Sequence, residues 1–309
     1  MEHLFIINPA AGKYDQTEEF QKSIETACRD RGLTYRIAVS EKPGDCTRIA
    51  REAAETGAEL RIYACGGDGT LNEVVCGTAG FDNAAVTHFA GGSGNDFVKI
   101  FGNTEAFRDL DRLLDCDEAC FDLIECNGDY ALNICSVGLD ARVGTGVAQY
   151  KRLPFVSGSG AYLLSTLINT IKGVSEHYVV EVDGEKIDAD QTMICVANGR
   201  YYGGGFNPVP EADPSDGLLD VLLVKKLSRL GVASIIGRYK RGLYRQFPQI
   251  VRHIRTSHIK ITCDHETAIN LDGELRSAKT VDMKITDKKI RFFYPKGLRW
   301  QPEEACVGV

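Results

Sequence analysis

The first hundred residues repeat one unit: a short apolar run, a polar or glycine-rich turn, then a stretch with helical spacing. Leu4–Ile7, Leu33–Val39, Leu60–Cys65 and Ala84–Ala90 read as strands. Residues 16–31, Asp45–Thr56 and the stretch opening at Leu71 read as helices, the second capped by Asp45 or Gly44. This alternation predicts a parallel sheet covered by helices. In such sheets ligands bind outside the carboxyl ends of the strands. Two glycine-rich loops fall at those ends, GGDGTLNE at 66–73 and GGSGND at 91–96.

After about residue 120 the pattern changes. Strand-like runs follow at Ala131–Val137, Tyr178–Val182, Met193–Ala197, Leu218–Val224, Ile259–Cys263, Val281–Ile285 and Ile290–Tyr294. Helical insertions interrupt them near 158–172 and 228–245. The expected architecture is an α/β N-terminal domain over 1–125, a parallel sheet with flanking helices, and a mostly β sandwich domain over 126–295. The C-terminal tail 296–309 is free to return to the first domain. No linker marks the join, so this boundary is a soft one.

The chain has 309 residues, is 43% hydrophobic and 26% charged, and so can bury a substantial core. Its net charge of -7 argues against nucleic acid as a partner of the whole surface. No apolar run approaches membrane-spanning length, and the N-terminus shows no secretory signal. Eleven cysteines, an odd number set in apolar stretches, suggest buried thiols in a reducing cytoplasm. Cys116, Cys120 and Cys126 form the densest group, but with no C-x-x-C pair and no nearby histidine they read as packing, not a zinc site.

The glycine loops fit neither common nucleotide motif. A dinucleotide loop needs a third glycine where Asn72 stands, and it follows the first strand rather than the third. The run Asn8 to Lys13 resembles a phosphate loop but continues with Tyr14 in place of serine or threonine. Glycines nonetheless let backbone N–H groups approach phosphate oxygens, and the following helix offers its N-terminus. Asp68 in such a cradle needs a cation between it and phosphate, and Mg²⁺ is the natural mediator. The plainer alternative is a tight turn with Asp68 as a helix cap.

GGDGTLNEV at 66–74, GGSGNDF at 91–97 and INPAAGK at 7–13 resemble the diacylglycerol kinase catalytic family in its soluble bacterial lipid-kinase form. The likeness continues, in order, through Asp122, the D-G-L at 216–218 and the L-D-G-E at 271–274. GGDGT alone is shared with NAD kinases. Ser93 and Ala11 stand where the family usually has threonine and serine.

The resemblance implies a Mg²⁺-dependent kinase that transfers the ATP γ-phosphate to a lipid hydroxyl, with diacylglycerol first and phosphatidylglycerol or a sphingoid base as relatives' alternatives. An NAD kinase-like phosphotransferase is the competing reading. Asn8, Pro9, Gly12, Lys13, Ser40, Gly66, Gly67, Asp68, Gly69, Thr70, Asn72, Ser93 and Asn95 match nucleotide positions. Asp68 and Asp122 match acids that organise catalytic Mg²⁺. Asp213, Asp216 and Leu218 match a second Mg²⁺ site, although an Asp- and Gly-rich turn explains them equally. Glu274 matches the general base; read alone it is a solvated carboxylate after an Asp-Gly hairpin turn.

Between Asp220 and Asp264 there is no acidic residue, while lysines and arginines from Lys225 to Lys260 interleave with aromatics. This segment, 225–260, reads as a patch for an anionic membrane surface, each cation near headgroups contributing about 1 kcal/mol. Nucleic-acid binding and solvated helix faces are the alternatives. The expected location is cytoplasmic, peripheral at the inner membrane face, and a homodimer is compatible with it. The apolar stretch Ala161–Ile168 is a candidate acyl-chain lining or an ordinary core helix.

Overall fold

The apolar runs of the first half become four parallel strands. In the computed structural model, which describes residues 1–139, 141–142 and 175–301, these are β1 (Glu2–Ile7), β2 (Tyr35–Val39), β3 (Leu60–Gly66) and β4 (Ala84–Ala90). They lie in the order β2-β1-β3-β4. Every residue of β4 is buried, as expected for a strand covered on both faces. The connections are α1 (Thr17–Asp30), α2 (Asp45–Ala54) and α3 (Asp68–Thr78). Phe20, Ile24, Ala27 and Cys28 recur at helical spacing and form the buried stripe of α1.

A short helix α4 (Leu110–Leu114) leads into β5 (Cys116–Cys126), then β6 (Asp129–Ala131) and β7 (Ile134–Gly138). The second half continues as β8 (Glu176–Val182), β9 (Glu185–Ala197), β10 (Leu219–Lys225), α5 (Arg229–Tyr239), β11 (Val251–Thr256), β12 (His258–Leu271) and β13 (Glu274–Pro295). It is a β-sandwich-like unit. β7 and β8 each bridge β9 to β12, at opposite ends of those long strands. They enclose a core that includes Val137, Tyr178, Ile194, Val221, Ile261 and Met283. The unbroken apolar run of β9 is explained by its two faces. Ile194 and Val196 enter that core, while Met193, Cys195 and Ala197 pack under Ile235 and Tyr239 of α5.

The two halves share β13. Its first half pairs with β12, and its end pairs in parallel with β4 (Arg291 with Ala85) and antiparallel with β5. Phe292 and Phe293 thereby join the N-terminal core beside Tyr63, and Trp300 packs edge-on against Phe121.

Several sequence expectations change. Val281–Ile285 and Ile290–Tyr294 are one strand, and the polar break between them is a register shift against β5. Ala131–Val137 is instead two strands, because Leu132 and Asn133 turn their amides to Asp272. β5 and β11 went unread: acids interrupt the first and VRHIRT carries two arginines. Cys116, Cys120 and Cys126 sit on β5 as free thiols, Cys120 exposed and Cys126 buried. The 228–245 insertion is α5 followed by a single turn at Tyr244–Gln246. The 158–172 insertion, with Ala161–Ile168, lies outside the described residues. No helix among the described residues is long and apolar enough to cross a membrane.

Candidate active site

The two glycine loops interleave at the ends of β3 and β4. The Gly66 carbonyl accepts hydrogen bonds from the amides of Gly91 (2.7 Å) and Gly92 (3.0 Å). It also accepts from His88 Nε2 at 2.9 Å. Burial pushes the His88 imidazole down to about 4, so the ring is neutral and its Nε2 carries the proton. A methyl on Gly92 would lie 2.5 Å from the Gly67 Cα, and one on Gly94 2.3 Å from Asp68 Oδ2. Only glycines allow this contact.

Gly67, not Asp68, is the N-cap of α3, and no side chain caps that helix. The cap alternative for Asp68 is therefore replaced. Asp68 is the first helical residue, and its carboxylate reaches across to the other loop. It accepts from the amides of Asn95 (2.8 Å) and Asp96 (2.5 Å). Asp96, in turn, accepts from the Gly204 amide at 2.7 Å and pairs with Lys99. Burial raises both carboxyls above the usual range, and the charge of Asp68 raises Asp96 further. Lys99 offsets part of the charge on Asp96, and the remaining cost of two buried carboxylates is relieved by a hard cation with oxygen ligands, so the donor set fits Mg²⁺.

The remaining nucleotide positions gather around these loops. Asn8 donates from Nδ2 to Thr70 Oγ1 at 3.1 Å, tying the first loop to α3. Its Oδ1 accepts from the amide of Ala10, just past Pro9. Asn95, at φ 49°, clamps its loop by bonding both the amide and the carbonyl of Gly92. Asn72 is buried, and its amide nitrogen has no partner among the described residues. Ser40 is buried just after β2, its amide bonded to Ile7. Gly12, Lys13, Gly91, Gly92 and Ser93 line a cavity of about 520 Å³. Gln16 and Arg108 line it too, and sequence reading missed both. Gln16 donates to the Gly91 carbonyl at 2.9 Å, a contact between residues 75 positions apart that no motif announces.

Glu274 opens β13 and faces the first turn of α3. A methyl on Gly69 would sit 3.9 Å from Glu274 Oε1. Its carboxylate is half exposed, and Arg276 lies 3.9 Å from its other oxygen. The turn that aims it is built by Asp272 and Gly273, both with positive φ. Asp272 is part-buried and accepts from the amides of Leu132 (2.6 Å), Asn133 (3.0 Å) and Ile134 (2.7 Å). Sequence reading took Asp272 for a turn residue only; it also anchors the hairpin that carries Glu274.

Asp122 joins a second group. Its carboxylate bonds to the 213–218 loop and to Lys289, not to Asp68, and its carbonyl accepts from Asn198. The carboxylate accepts from Lys289 Nζ (2.5 Å) and the Gly217 amide (2.8 Å), while its own amide donates to Pro214. Asp213 accepts from both the amide and the hydroxyl of Ser215. Asp216 accepts from the Leu218 amide at 2.9 Å and pairs with Arg255. Burial raises its carboxyl. Asp122 and Asp216 already have cationic partners, so a metal ion at Asp216 has to displace a guanidinium.

The basic segment is partly neutralised by acids outside it. Lys226 pairs with Asp190, Arg245 with Glu211 and Arg252 with Glu185. Lys240 lies over the Phe206 ring. Near its start, Leu230 is 83% exposed.

An α/β half with interleaved glycine loops, joined to a sandwich that presents a carboxylate to them, defines a phosphotransferase-like architecture. The diacylglycerol kinase catalytic domain model matches residues 2–126, and the YegS C-terminal NAD kinase beta sandwich-like domain model matches 133–294. The chain belongs to the diacylglycerol kinase catalytic family, in its bacterial lipid-kinase type. It is 26% identical to a "Putative lipid kinase" of Staphylococcus carnosus (strain TM300), over 94% of this chain and 96% of that one. A protein of Staphylococcus haemolyticus (strain JCSC1435) with the same description is 26% identical over 90% of each chain. The fold is shared with a crystal structure titled as a putative diacylglycerol kinase from Bacillus anthracis str. Sterne. That match has a TM-score of 0.72, 22% identity, and covers 96% of this chain and 98% of the other.

Proposed function

We propose that this kinase-family protein transfers the γ-phosphoryl group of Mg²⁺-ATP to a lipid hydroxyl, with diacylglycerol as acceptor and phosphatidic acid as product. The observation that carries the reading is the Glu274 carboxylate facing the first turn of α3 at Gly69, beside two interleaved glycine loops. The backbone amides of those loops and the N-terminus of α3 bind phosphate oxygens. Lys13, on the wall of the adjoining cavity, adds a positive charge. Mg²⁺, when bound, supplies neutralisation of charge on the transferring group, and Asp68 with Asp96 are the residues that would hold it. Glu274 takes the proton from the acceptor hydroxyl. Half exposed and not held by a short ion pair, it is free to meet a substrate entering from solvent. The 213–218 group has a supporting role, in which Lys289 and Arg255 supply the positive charge.

Acceptors embedded in a bilayer require contact with its surface. The proposed contact is the 225–260 segment at the inner face of the membrane, where the exposed Leu230 side chain inserts.

The test uses the full chain, labelled ATP and Mg²⁺, with diacylglycerol, phosphatidylglycerol, a sphingoid base and NAD as separate acceptors. Transfer to diacylglycerol supports the assignment. Transfer to NAD alone, or to none of them while ATP still binds, overturns it.

A further inference from the structure

A second cluster of metal-ligating side chains lies outside the phosphoryl-transfer site and shares no residue with it. Glu176 opens β8, and Cys263 and His265 lie on β12. Their ligand atoms all fall within 4.8 Å of one another. β12 makes this grouping through an irregularity: its register against β13 shifts between Thr262 and Thr267. Residues 263–266 are thereby released from the ladder, while Cys263 and His265, two apart, keep one direction.

Three donors of different kinds converge here. His265 Nε2 is 3.7 Å from Cys263 Sγ and 3.6 Å from Glu176 Oε2, and Nδ1 is nearer the thiol, at 3.3 Å, so a small turn of the half-exposed ring brings Nε2 to bear. Tetrahedral zinc with ordinary bond lengths sets such ligand–ligand edges at about 3.3–3.6 Å. The other ring nitrogen, Nδ1, lies 2.6 Å from Asp264 Oδ1. A ligating histidine characteristically donates its second N–H to a carboxylate, which fixes its tautomer and orientation. Glu176 Oε2 is oriented by the Tyr178 hydroxyl (2.6 Å) and the Thr267 hydroxyl (3.0 Å), while Oε1 pairs with Arg142 (3.0 Å), a guanidinium that an entering ion must loosen. Cys263 is buried and His265 is half exposed, so an ion reaches the thiol past the imidazole.

We propose that Glu176, Cys263 and His265 bind a borderline-soft divalent cation, with Zn²⁺ the ion whose preferences the donors meet. Thiolate, imidazole and carboxylate select zinc over magnesium, which keeps oxygen ligands in octahedral geometry. The ion ties the start of β8 to the irregular stretch of β12, beside Arg142. It is separate in chemistry and in residues from any ion at Asp68.

The experiment takes the full chain, reduced and stripped of metal with a chelator. Co²⁺ is added as a spectroscopic stand-in, and Zn²⁺ binding is then measured by competition with a chromophoric chelator. The expected result is one equivalent of metal per chain and a thiolate-to-cobalt charge-transfer band that Zn²⁺ removes. Cys263→Ser abolishes the band. His265→Ala weakens Zn²⁺ binding by at least about 10- to 100-fold, the loss that even an outer partner produces. Cys120→Ser, altering an exposed thiol on β5, leaves both readings unchanged. If Cys263→Ser does not fold, His265→Ala decides, because its side chain is half exposed. Absence of the band in the parent protein, or a band and an affinity that survive His265→Ala, overturns the proposal.

Discussion

Gly92→Ala puts the contact between the glycine loops to the test. The added methyl would lie 2.5 Å from the Gly67 Cα and 2.8 Å from Asn95 Oδ1. Carbon atoms rest at about 3.5–4.0 Å, so the loops must part by about 1 Å. The atom in the way is backbone, which cannot swing aside as a side-chain tip can. Parting the loops strains the bonds from Gly91 and Gly92 to the Gly66 carbonyl and from the Gly92 amide to Asn95. Overpacking costs about 1–3 kcal/mol, and a weakened hydrogen bond about 1 kcal/mol. The expected loss of stability is therefore about 2–4 kcal/mol, read as a shift of the urea midpoint at unchanged slope. Turnover should fall further, because a displacement of about 1 Å at a reacting centre costs on the order of 100-fold. Gly57→Ala is the control: its φ is +74° and nothing lies within 4 Å, so it bears only left-handed strain of about 1–2 kcal/mol. A Gly92→Ala protein with parental midpoint and parental kcat/KM would refute the close-contact account.

Glu274→Gln should lower kcat by about 10²–10⁴-fold with little change in KM for ATP, and full turnover would remove Glu274 as the base. Asp272 gives a pH signature, since burial holds its carboxyl up at about 6 from 3.8. The folded state then binds the extra proton between those values. Its contribution is complete below about pH 3.8 and is lost as pH rises through 6, up to about 3 kcal/mol. Against Asp272→Asn, whose amide does not titrate, the parent's stability should decline by that order between pH 4 and 7; parallel profiles would contradict the assignment. Arg255→Ala should cost about 0–1 kcal/mol, as the pair is partly exposed, and should enlarge the response of thermal stability to Mg²⁺ over that of the parent. An equal response to Mg²⁺ in both proteins would show that the guanidinium does not stand in for an ion. Leu230→Ala should weaken binding to anionic vesicles about tenfold, part of the roughly 1.5–3 kcal/mol that burying a leucine contributes. Equal binding, at low and high salt, would move the membrane contact away from α5.

How much was legible divides along local and non-local lines. The parallel strands and helices of the first half were readable because each is announced by its own spacing and by glycines at its end. The glycine loops and Glu274 carry compact motifs, so they too could be named. β5 was hidden because acids interrupt its apolar pattern: Glu118 is exposed, while Asp122 is buried among Phe121, Leu123 and Ile124. β13 looked like two strands because a register shift interrupts its apolar pattern.

Gln16 on the Gly91 carbonyl, Arg108 on the cavity wall and Asp272 under the Glu274 hairpin were illegible for a different reason. Each acts on a partner 75 or more residues away, or through a cavity, and its own neighbourhood does not announce that contact: the Asp-Gly pair at 272–273 announces only a turn. The same holds for Asp122, which ordered motifs place with Asp68 but whose bonds run to Gly217 and Lys289. Local sequence therefore determined the types of element, the family and the reactive residue types, because periodicity and turn chemistry act over a few residues. Only the tertiary structure decided which carboxylates share an environment, which cations are already paired, and that Glu176, Cys263 and His265 meet at all. Those outcomes depend on strand register and burial, which are set by packing across the whole chain.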